Sequence, residues 1–151
     1  MKKKWNNFEE NVMNNYIKNI RDVNRLMSVV FFEYPVIAKN VNFVDFFLIL
    51  LIRIKNIELY ELIKNKFYNI LIYNKLFQAM PDDDKEKFKQ EYQDIVKKYN
   101  EYEYILNLLF PSLNEVVTGD SFQKYSQESY DEKFKYLENP DYFENYFLFS
   151  A

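Results

Sequence analysis

Apolar residues recur along most of the chain at spacings of three and four positions, which is the period of an α-helix. The clearest stripe covers 88–109, where spacings of four and three alternate. Its members are Phe88, Tyr92, Ile95, Tyr99, Tyr102, Leu106 and Leu109. The stripe predicts one long helix, or two helices that share a seam, packed on the core of the same domain. An intermolecular coiled coil is the alternative, but Ile105 and Leu108 broaden the face beyond a strict seam.

Two segments nearer the N-terminus show the same period. The region 5–17 predicts a first helix, and 21–34 predicts a second helix with a wide apolar face. The face of the second helix consists of Val23, Leu26, Met27, Val30, Phe31 and Tyr34. Pro35 disfavours helical backbone at the residue before it, so we expect the second helix to end or kink there.

A third helix is predicted at the centre of the fold. Asn42 is a favourable N-cap residue, and Asp45 follows in the first turn, where the helix dipole favours an acid. Arg53 and Lys55 stand at the other end, where the dipole favours cations. Nearly every residue between these two ends is apolar, which indicates a buried helix.

The second half of the chain predicts further helices separated by loops. Asn56 is expected to cap a helix that breaks before Phe77, and 111–120 is expected to be a loop. The region 129–132 resembles a capping box and predicts a short helix that ends at Leu137.

Pro81 and three consecutive aspartates, Asp82, Asp83 and Asp84, mark the start of another helix. Acids in a first turn are stabilised by the helix dipole, whereas three consecutive carboxylates on a helix do not converge on one ion. We therefore interpret the triplet as a helix start rather than as a metal site, and we expect no bound metal.

The composition agrees with a helical fold. The chain has one Gly, where average usage predicts about 11, and its strand signals are weak. We expect an all-α fold, a single irregular bundle of about six or seven helices with Phe43–Lys55 at its centre. No internal repeat or linker divides the sequence, so 1–151 is expected to form one domain.

The same composition excludes much chemistry. The chain contains no Cys and no His, which rules out disulfides, thiol nucleophiles, Cys/His zinc sites and Ser/His/Asp triads. Gly119 is followed by Asp120 and Ser121 rather than by Lys, and a single glycine cannot form a Gly-rich phosphate loop. We therefore expect no catalytic residue, no cofactor and no enzymatic activity.

Charge and hydropathy limit the choice of partner. The formal net charge of -3 argues against binding of nucleic acid, although 20% of the residues are aromatic. The longest apolar run, 46–52, is far shorter than the roughly 20 residues that span a bilayer. Lys2, Lys3 and Lys4 are not followed by a signal sequence. The expected location is the cytoplasm, and the expected partner is a protein, not a nucleic acid or a membrane.

Four stretches, taken in their order and separation, carry a family resemblance. They are RDVNR at 21–25, VNFVDF at 41–46, ELYELI at 58–63 and NPDYFENYF at 139–147. Together they resemble the C-terminal helical region of the KAP family of P-loop NTPases. The resemblance is close over about 17–64 and again over 137–150.

The resemblance implies a function. In the KAP family an α/β core carries the Walker A and Walker B motifs, the helices follow it as a lid-like or regulatory module, and bacterial members resemble components of defence or mobile-element systems. This chain has neither Walker motif, so ATP would be bound only by a separate P-loop core. The implied function is that of a non-catalytic regulatory or interaction module, as a fragment or truncated gene product. The alternative is a free-standing protein-binding factor, such as a phage or bacterial defence-related inhibitor, decoy or antitoxin-like protein.

Arg21 and Arg25 are candidates for a specific role. One turn apart on a helix, their Cα atoms lie about 6 Å from each other, and only three of the 20 basic residues are Arg. The resemblance suggests that one of them senses the nucleotide phosphates of a parent ATPase, because a guanidinium binds phosphate through paired hydrogen bonds. The alternative is surface ion pairing, with Asp22 opposite Arg25.

The C-terminal segment supplies candidates for an interaction surface, namely Tyr142, Phe143, Tyr146 and Phe147. Pro140 is expected to begin a last helix, on which Tyr142 and Tyr146 lie one turn apart and could dock on a partner. The alternative is that this helix closes the core of its own domain.

Overall fold

The computed structural model describes residues 6, 8–118 and 134–149. The structure is 77% helical, and its described residues form nine α-helices and no strand, which confirms the predicted all-α fold. There are more helices than the six or seven expected because the predicted helix after Asn56 is interrupted twice and one predicted loop is helical.

The helices follow one another through short connections. They are α1 (Met13–Tyr16), α2 (Ile20–Ile37), α3 (Phe43–Lys55), α4 (Ile57–Lys66), α5 (Tyr68–Leu71), α6 (Tyr73–Ala79), α7 (Asp82–Lys98), α8 (Glu103–Leu109) and α9 (Leu113–Thr118). A π-helical turn at Phe8–Val12 precedes α1, and 3-10 turns occupy Asn100–Tyr102 and Phe143–Phe147. Helices α2 and α4 pack against α3, α8 also contacts α3, and α9 packs on α7 and α8.

Helix α3 is the centre of the fold, as predicted. The Asn42 side chain accepts hydrogen bonds from the backbone N–H groups of Val44 and Asp45, which confirms the predicted N-cap. Every residue from Val44 to Ile52 is buried. A helix that is apolar and buried all round must be covered by neighbours on every side, so the other elements assemble around α3.

Asn56 caps α4, as predicted, because its side chain accepts a hydrogen bond from the N–H of Leu59. The helix breaks before Phe77, as predicted, but it does so twice, at Phe67 and at Ile72, and Phe77 itself lies inside α6. The first break occurs at Phe67, whose fully buried ring lies 4.9 Å from that of Phe110, measured between centroids. Burial of an aromatic ring outweighs the continuation of a helix at this point.

The stripe over 88–109 divides between α7 and α8, which are separated by a 3-10 turn. Six of its members are buried, namely Tyr92, Ile95, Tyr99, Tyr102, Leu106 and Leu109. The seam therefore packs inside this chain, as predicted, and is not exposed for an intermolecular coiled coil.

Two helix boundaries differ from the sequence-based predictions. Helix α2 passes through Pro35 and continues to Ile37, whose burial holds the last turn in place. Pro35 has no N–H to donate to the carbonyl one turn earlier in the helix. Because Pro35 is exposed, water can hydrogen-bond to that carbonyl instead. The predicted loop at 111–120 contains α9. Burial of Leu113 and Val116 stabilises this helix, which is too short to form by itself.

The C-terminal region also departs from prediction. The capping box at 129–132 lies outside the described residues, and 134–140 forms turns rather than the end of a helix. In place of a last α-helix the chain forms the 3-10 turn Phe143–Phe147. The rings at its two ends lie 4.9 Å apart, so the tight turn serves to bring both into the core.

A buried polar network joins this C-terminal region to the start of α3. The carboxylate of Asp45, which is fully buried, accepts a hydrogen bond from the backbone N–H of Leu137 at 2.9 Å. The hydroxyl of Tyr146 accepts from the N–H of Asn42 at 2.7 Å and donates to the carbonyl of Lys135 at 2.6 Å. Asp45 therefore holds a distant segment of the chain in place and also lies in the first turn of α3.

The environment of this network keeps Tyr146 neutral. Burial raises the pKa of the Tyr146 hydroxyl well above its usual range, and the nearby carboxylate of Asp45 raises that pKa further. A protonated hydroxyl is what the network requires, because it must donate to one backbone group while it accepts from another.

Replacement of Tyr146 by Phe should lower the free energy of unfolding by about 1–3 kcal/mol, because one buried N–H and one partly buried carbonyl lose their partner. The matched control is Tyr142→Phe, at a partly exposed position, which should change stability by less than about 0.5 kcal/mol. Urea unfolding followed by circular dichroism measures both. Equal losses in the two variants would show that the Tyr146 hydroxyl contributes nothing specific.

Candidate binding surface

Helix α2 attaches to α3 through one side only. Leu26, Val30 and Ile37 are its buried apolar residues. The two acids of the helix also form ion pairs with α3: Lys55 donates to the carboxylate of Asp22, and Arg53 binds Glu33 through two hydrogen bonds of 2.7 and 3.1 Å. Both negative charges of α2 are thus neutralised on the side that faces the core.

The ion pair with Lys55 affects the titration of Asp22. The hydrogen bond from the Lys55 ammonium lowers the pKa of the Asp22 carboxyl, and the charge of Arg25 lowers it slightly further. The Asp22 carboxyl therefore stays ionised to a lower pH than an ordinary Asp, and the pair holds the first turn of α2 on the end of α3.

The opposite side of α2 exposes large apolar residues. They are Ile20, Val23, Met27, Phe31, Phe32 and Val36, with exposed fractions between 36% and 82%. We call these six residues the α2 outer face. Its first four members follow one another at spacings of 3, 4 and 4, so they lie in one line along the helix.

This finding corrects the predicted apolar face of the second helix. Leu26 and Val30 are buried as expected, but Val23, Met27 and Phe31 point outwards. The apolar arc is wider than α3 can cover. The adjacent pair Phe31 and Phe32 could have revealed the exposed face from the sequence. Neighbouring side chains on a helix point about 100° apart, so one covering element cannot bury both rings.

Basic residues surround the α2 outer face. Lys18, Arg21, Arg25 and Lys39 are all exposed. The only acids between residues 18 and 40 are the two that pair with α3. The outward surface of α2 is therefore apolar and positively charged, although the whole chain has a net charge of -3.

The structure places Arg21 and Arg25 side by side on this surface. Both are exposed, and neither forms an ion pair with any residue that the structure describes. The expected pair between Asp22 and Arg25 does not form, because Lys55 binds the Asp22 carboxylate instead. In the described part of the chain, both guanidinium groups therefore remain without a salt bridge.

An apolar pocket of about 120 Å³ opens beside the α2 outer face. Val23 and Met27 belong to both, and the remaining walls come from α1, the buried side of α2 and the first turns of α3. All the side chains that line it are apolar. An apolar side chain of a docked partner could enter this pocket without leaving a polar group unsatisfied.

The C-terminal interaction candidates lie elsewhere and are mostly inaccessible. Phe143, Tyr146 and Phe147 are buried in the core, and the ring of Phe147 lies 5.6 Å from that of Tyr60. Only Tyr142 among the four is partly exposed. The structure therefore corrects the expectation of a docking surface here, and the segment closes the core of its own chain.

Other candidate chemistry is limited. Asp82, Asp83 and Asp84 are exposed in the first turn of α7, where the dipole stabilises them. Within the described ranges no group of three or more acidic side chains could hold a metal ion. No described helix combines the length and the apolar character needed to cross a bilayer.

Comparison with known proteins finds no matching family model, no matching curated protein and no matching solved structure. The resemblance to the KAP family therefore stays a prediction, which depends on the four sequence stretches alone.

Substitution of Asp22 by Asn should destabilise the protein in a pH-dependent manner. Because the folded-state pKa is lowered, the ionised carboxylate stabilises the fold above the ordinary Asp pKa of about 3.9, and this contribution is lost as the pH falls through the lowered value. The difference in unfolding free energy between wild type and Asp22→Asn should thus be largest near neutral pH and shrink below about pH 4. Urea titrations at several pH values measure it. A difference that does not vary with pH would contradict an ionised Asp22–Lys55 pair.

Proposed function

We propose that this chain is a non-catalytic helical interaction module that docks on a protein partner through the α2 outer face. The observation that carries the proposal is the group of six exposed apolar side chains on one helix, flanked by basic residues that form no ion pair within the described part of the chain. Large apolar side chains that stand together on a surface mark sites of association, whereas isolated ones do not.

Burial of this face would be energetically substantial. Each large apolar side chain removed from water contributes about 1.5–3 kcal/mol. Association must offset the loss of translational and rotational freedom, which costs an estimated 4–15 kcal/mol. Several of the six residues buried together can meet that cost, and the neighbouring arginines then supply orientation and specificity.

The chemistry of the face favours a protein over a nucleic acid or a membrane. Single-strand binding requires aromatic rings along a basic groove, whereas these rings stand on a convex helix in a chain of net charge -3. The basic residues at 18, 21, 25 and 39 favour a partner that carries acids around an apolar patch. The proposal locates this association in the cytoplasm.

The family resemblance supplies a specific form of the proposal. The partner would be a P-loop ATPase core, and α2 would lie against it with Arg21 or Arg25 close to the nucleotide phosphates. The exposure of both arginines beside the apolar face supports this form. In the alternative form the chain is a free-standing binder, such as a defence-related inhibitor, decoy or antitoxin-like protein, and its partner carries no P-loop.

The test compares single substitutions on and off the face. Phe31→Asp and Phe32→Asp place a charge within it, and Leu148→Asp places the same charge on an exposed apolar position of the C-terminal segment. All three residues are exposed, so each variant should retain the wild-type unfolding midpoint. Tagged proteins are incubated with native-cell lysate and the captured proteins are quantified. We expect a partner that is captured by wild type and Leu148→Asp and lost from both Phe variants.

Two results would overturn the proposal. One is capture that is unaffected by either Phe substitution. The other is binding to anionic phospholipid vesicles that depends on the two Phe residues while no protein is captured, which would identify the face as a membrane surface.

A second measurement separates the two forms. If the partner is a P-loop ATPase, Arg21→Gln or Arg25→Gln should reduce ATP hydrolysis by the complex without reducing capture. If the captured protein lacks a P-loop, the free-standing form is supported and the sensing role of the arginines is refuted.

A further inference from the structure

A second concave site lies on the other flank of α2. It is an open cleft of about 640 Å³ between α2, the end of α3, the start of α4 and Phe149. Small-molecule sites in proteins typically measure about 300–1,000 Å³. None of the six residues of the α2 outer face lines this cleft, although Arg25, which lies beside that face, does.

The cleft offers one accessible positive charge. It is lined by two arginines, but the guanidinium of Arg53 is already held by the two hydrogen bonds to Glu33. Arg25 is exposed and pairs with no acid in the described part of the chain. Glu61, on the opposite wall, is not within ion-pair distance of it. Among the described residues that line the cleft, Arg25 is thus the guanidinium that no ion pair holds, and Glu61 is the one carboxylate.

The remaining walls are largely apolar. Ile57 and Phe149 stand at the opening with exposed fractions of 60% and 41%. The buried ring of Tyr60 forms a further wall, and the Arg53 guanidinium lies 6.0 Å from its centroid. An aromatic or aliphatic body can therefore be desolvated beside the charged group.

From this arrangement we infer that the cleft binds a small amphiphilic organic anion. Its single negative group pairs with Arg25, and its aromatic or aliphatic body packs on Ile57 and Phe149. The carboxylate of Glu61 disfavours polyanions such as nucleoside triphosphates, because the extra charges would have no positive partner. This activity is additional to partner docking and does not depend on it.

The probe is anilinonaphthalene sulfonate, an aromatic monoanion whose fluorescence rises in apolar surroundings, used with its uncharged counterpart phenylnaphthylamine. Loss of a charge-assisted hydrogen bond in Arg25→Gln should weaken binding of the sulfonate about tenfold. The same variant should bind the uncharged probe as wild type does. Arg21→Gln is the matched control, since Arg21 is also exposed on the same helix but does not line the cleft.

Two further variants identify where the probe binds. Ile57→Asp should weaken both probes, because it places a charge in the apolar wall. Phe31→Asp should leave the affinity for the sulfonate unchanged, because that residue belongs to the α2 outer face. The Phe31→Asp protein thus tests the cleft even when partner docking is lost, so the two proposals fail independently.

The inference is overturned if Arg25→Gln and Arg21→Gln weaken the sulfonate equally, if Arg25→Gln weakens both probes alike, or if Phe31→Asp abolishes the signal. The first result would indicate a diffuse electrostatic effect. The second would indicate that the site does not distinguish a charged probe from an uncharged one, and the third would indicate that the probe binds on the α2 outer face. Wild-type unfolding midpoints of the two Arg variants are the check on folding.

Discussion

The buried network at the start of α3 is the constraint on which the rest of the structure depends. A fully buried carboxylate is tolerated only when hydrogen bonds replace its hydration, and Asp45 obtains one from the backbone of Leu137. Tyr146 satisfies two further backbone groups, one of which is the N–H of the α3 cap residue Asn42. Because two of these contacts join residues that are 92 and 104 positions apart, the C-terminal segment cannot leave the central helix without exposing several unsatisfied groups.

This closure decides which surfaces remain free. The C-terminal aromatic residues fill the core around Tyr60 and Phe110, and α4 and α8 cover further sides of α3. Helix α2 completes the cover with a single apolar line and two inward ion pairs, so its other apolar residues have no neighbour among the described elements that buries them. The docking face and the cleft beside it both result from this one-sided attachment.

Structural features that depend on residues close together in the sequence could be predicted, whereas contacts between distant residues could not. The caps Asn42 and Asn56 were evident from sequence because a cap bonds to backbone only two or three positions away. The interaction candidates at the C-terminus were misjudged because nothing near Tyr146 in the sequence reveals that its hydroxyl bonds to a backbone group 104 positions away. Arg21 and Arg25 were singled out from the sequence and lie on the exposed side of α2, but the six apolar residues beside them were not recognised as a surface.

The sequence by itself determined that the chain is helical, that Phe43–Lys55 is its buried centre and that Cys, His and Gly-rich chemistry are absent. These properties depend on composition, caps and the spacing of neighbouring side chains. Only the tertiary structure decided which part of the apolar arc of α2 is covered, that α2 continues past Pro35 and that Phe143, Tyr146 and Phe147 lie inside. The physical reason is that periodicity specifies how wide an apolar face is, whereas the packing of distant segments specifies how much of that face is removed from water.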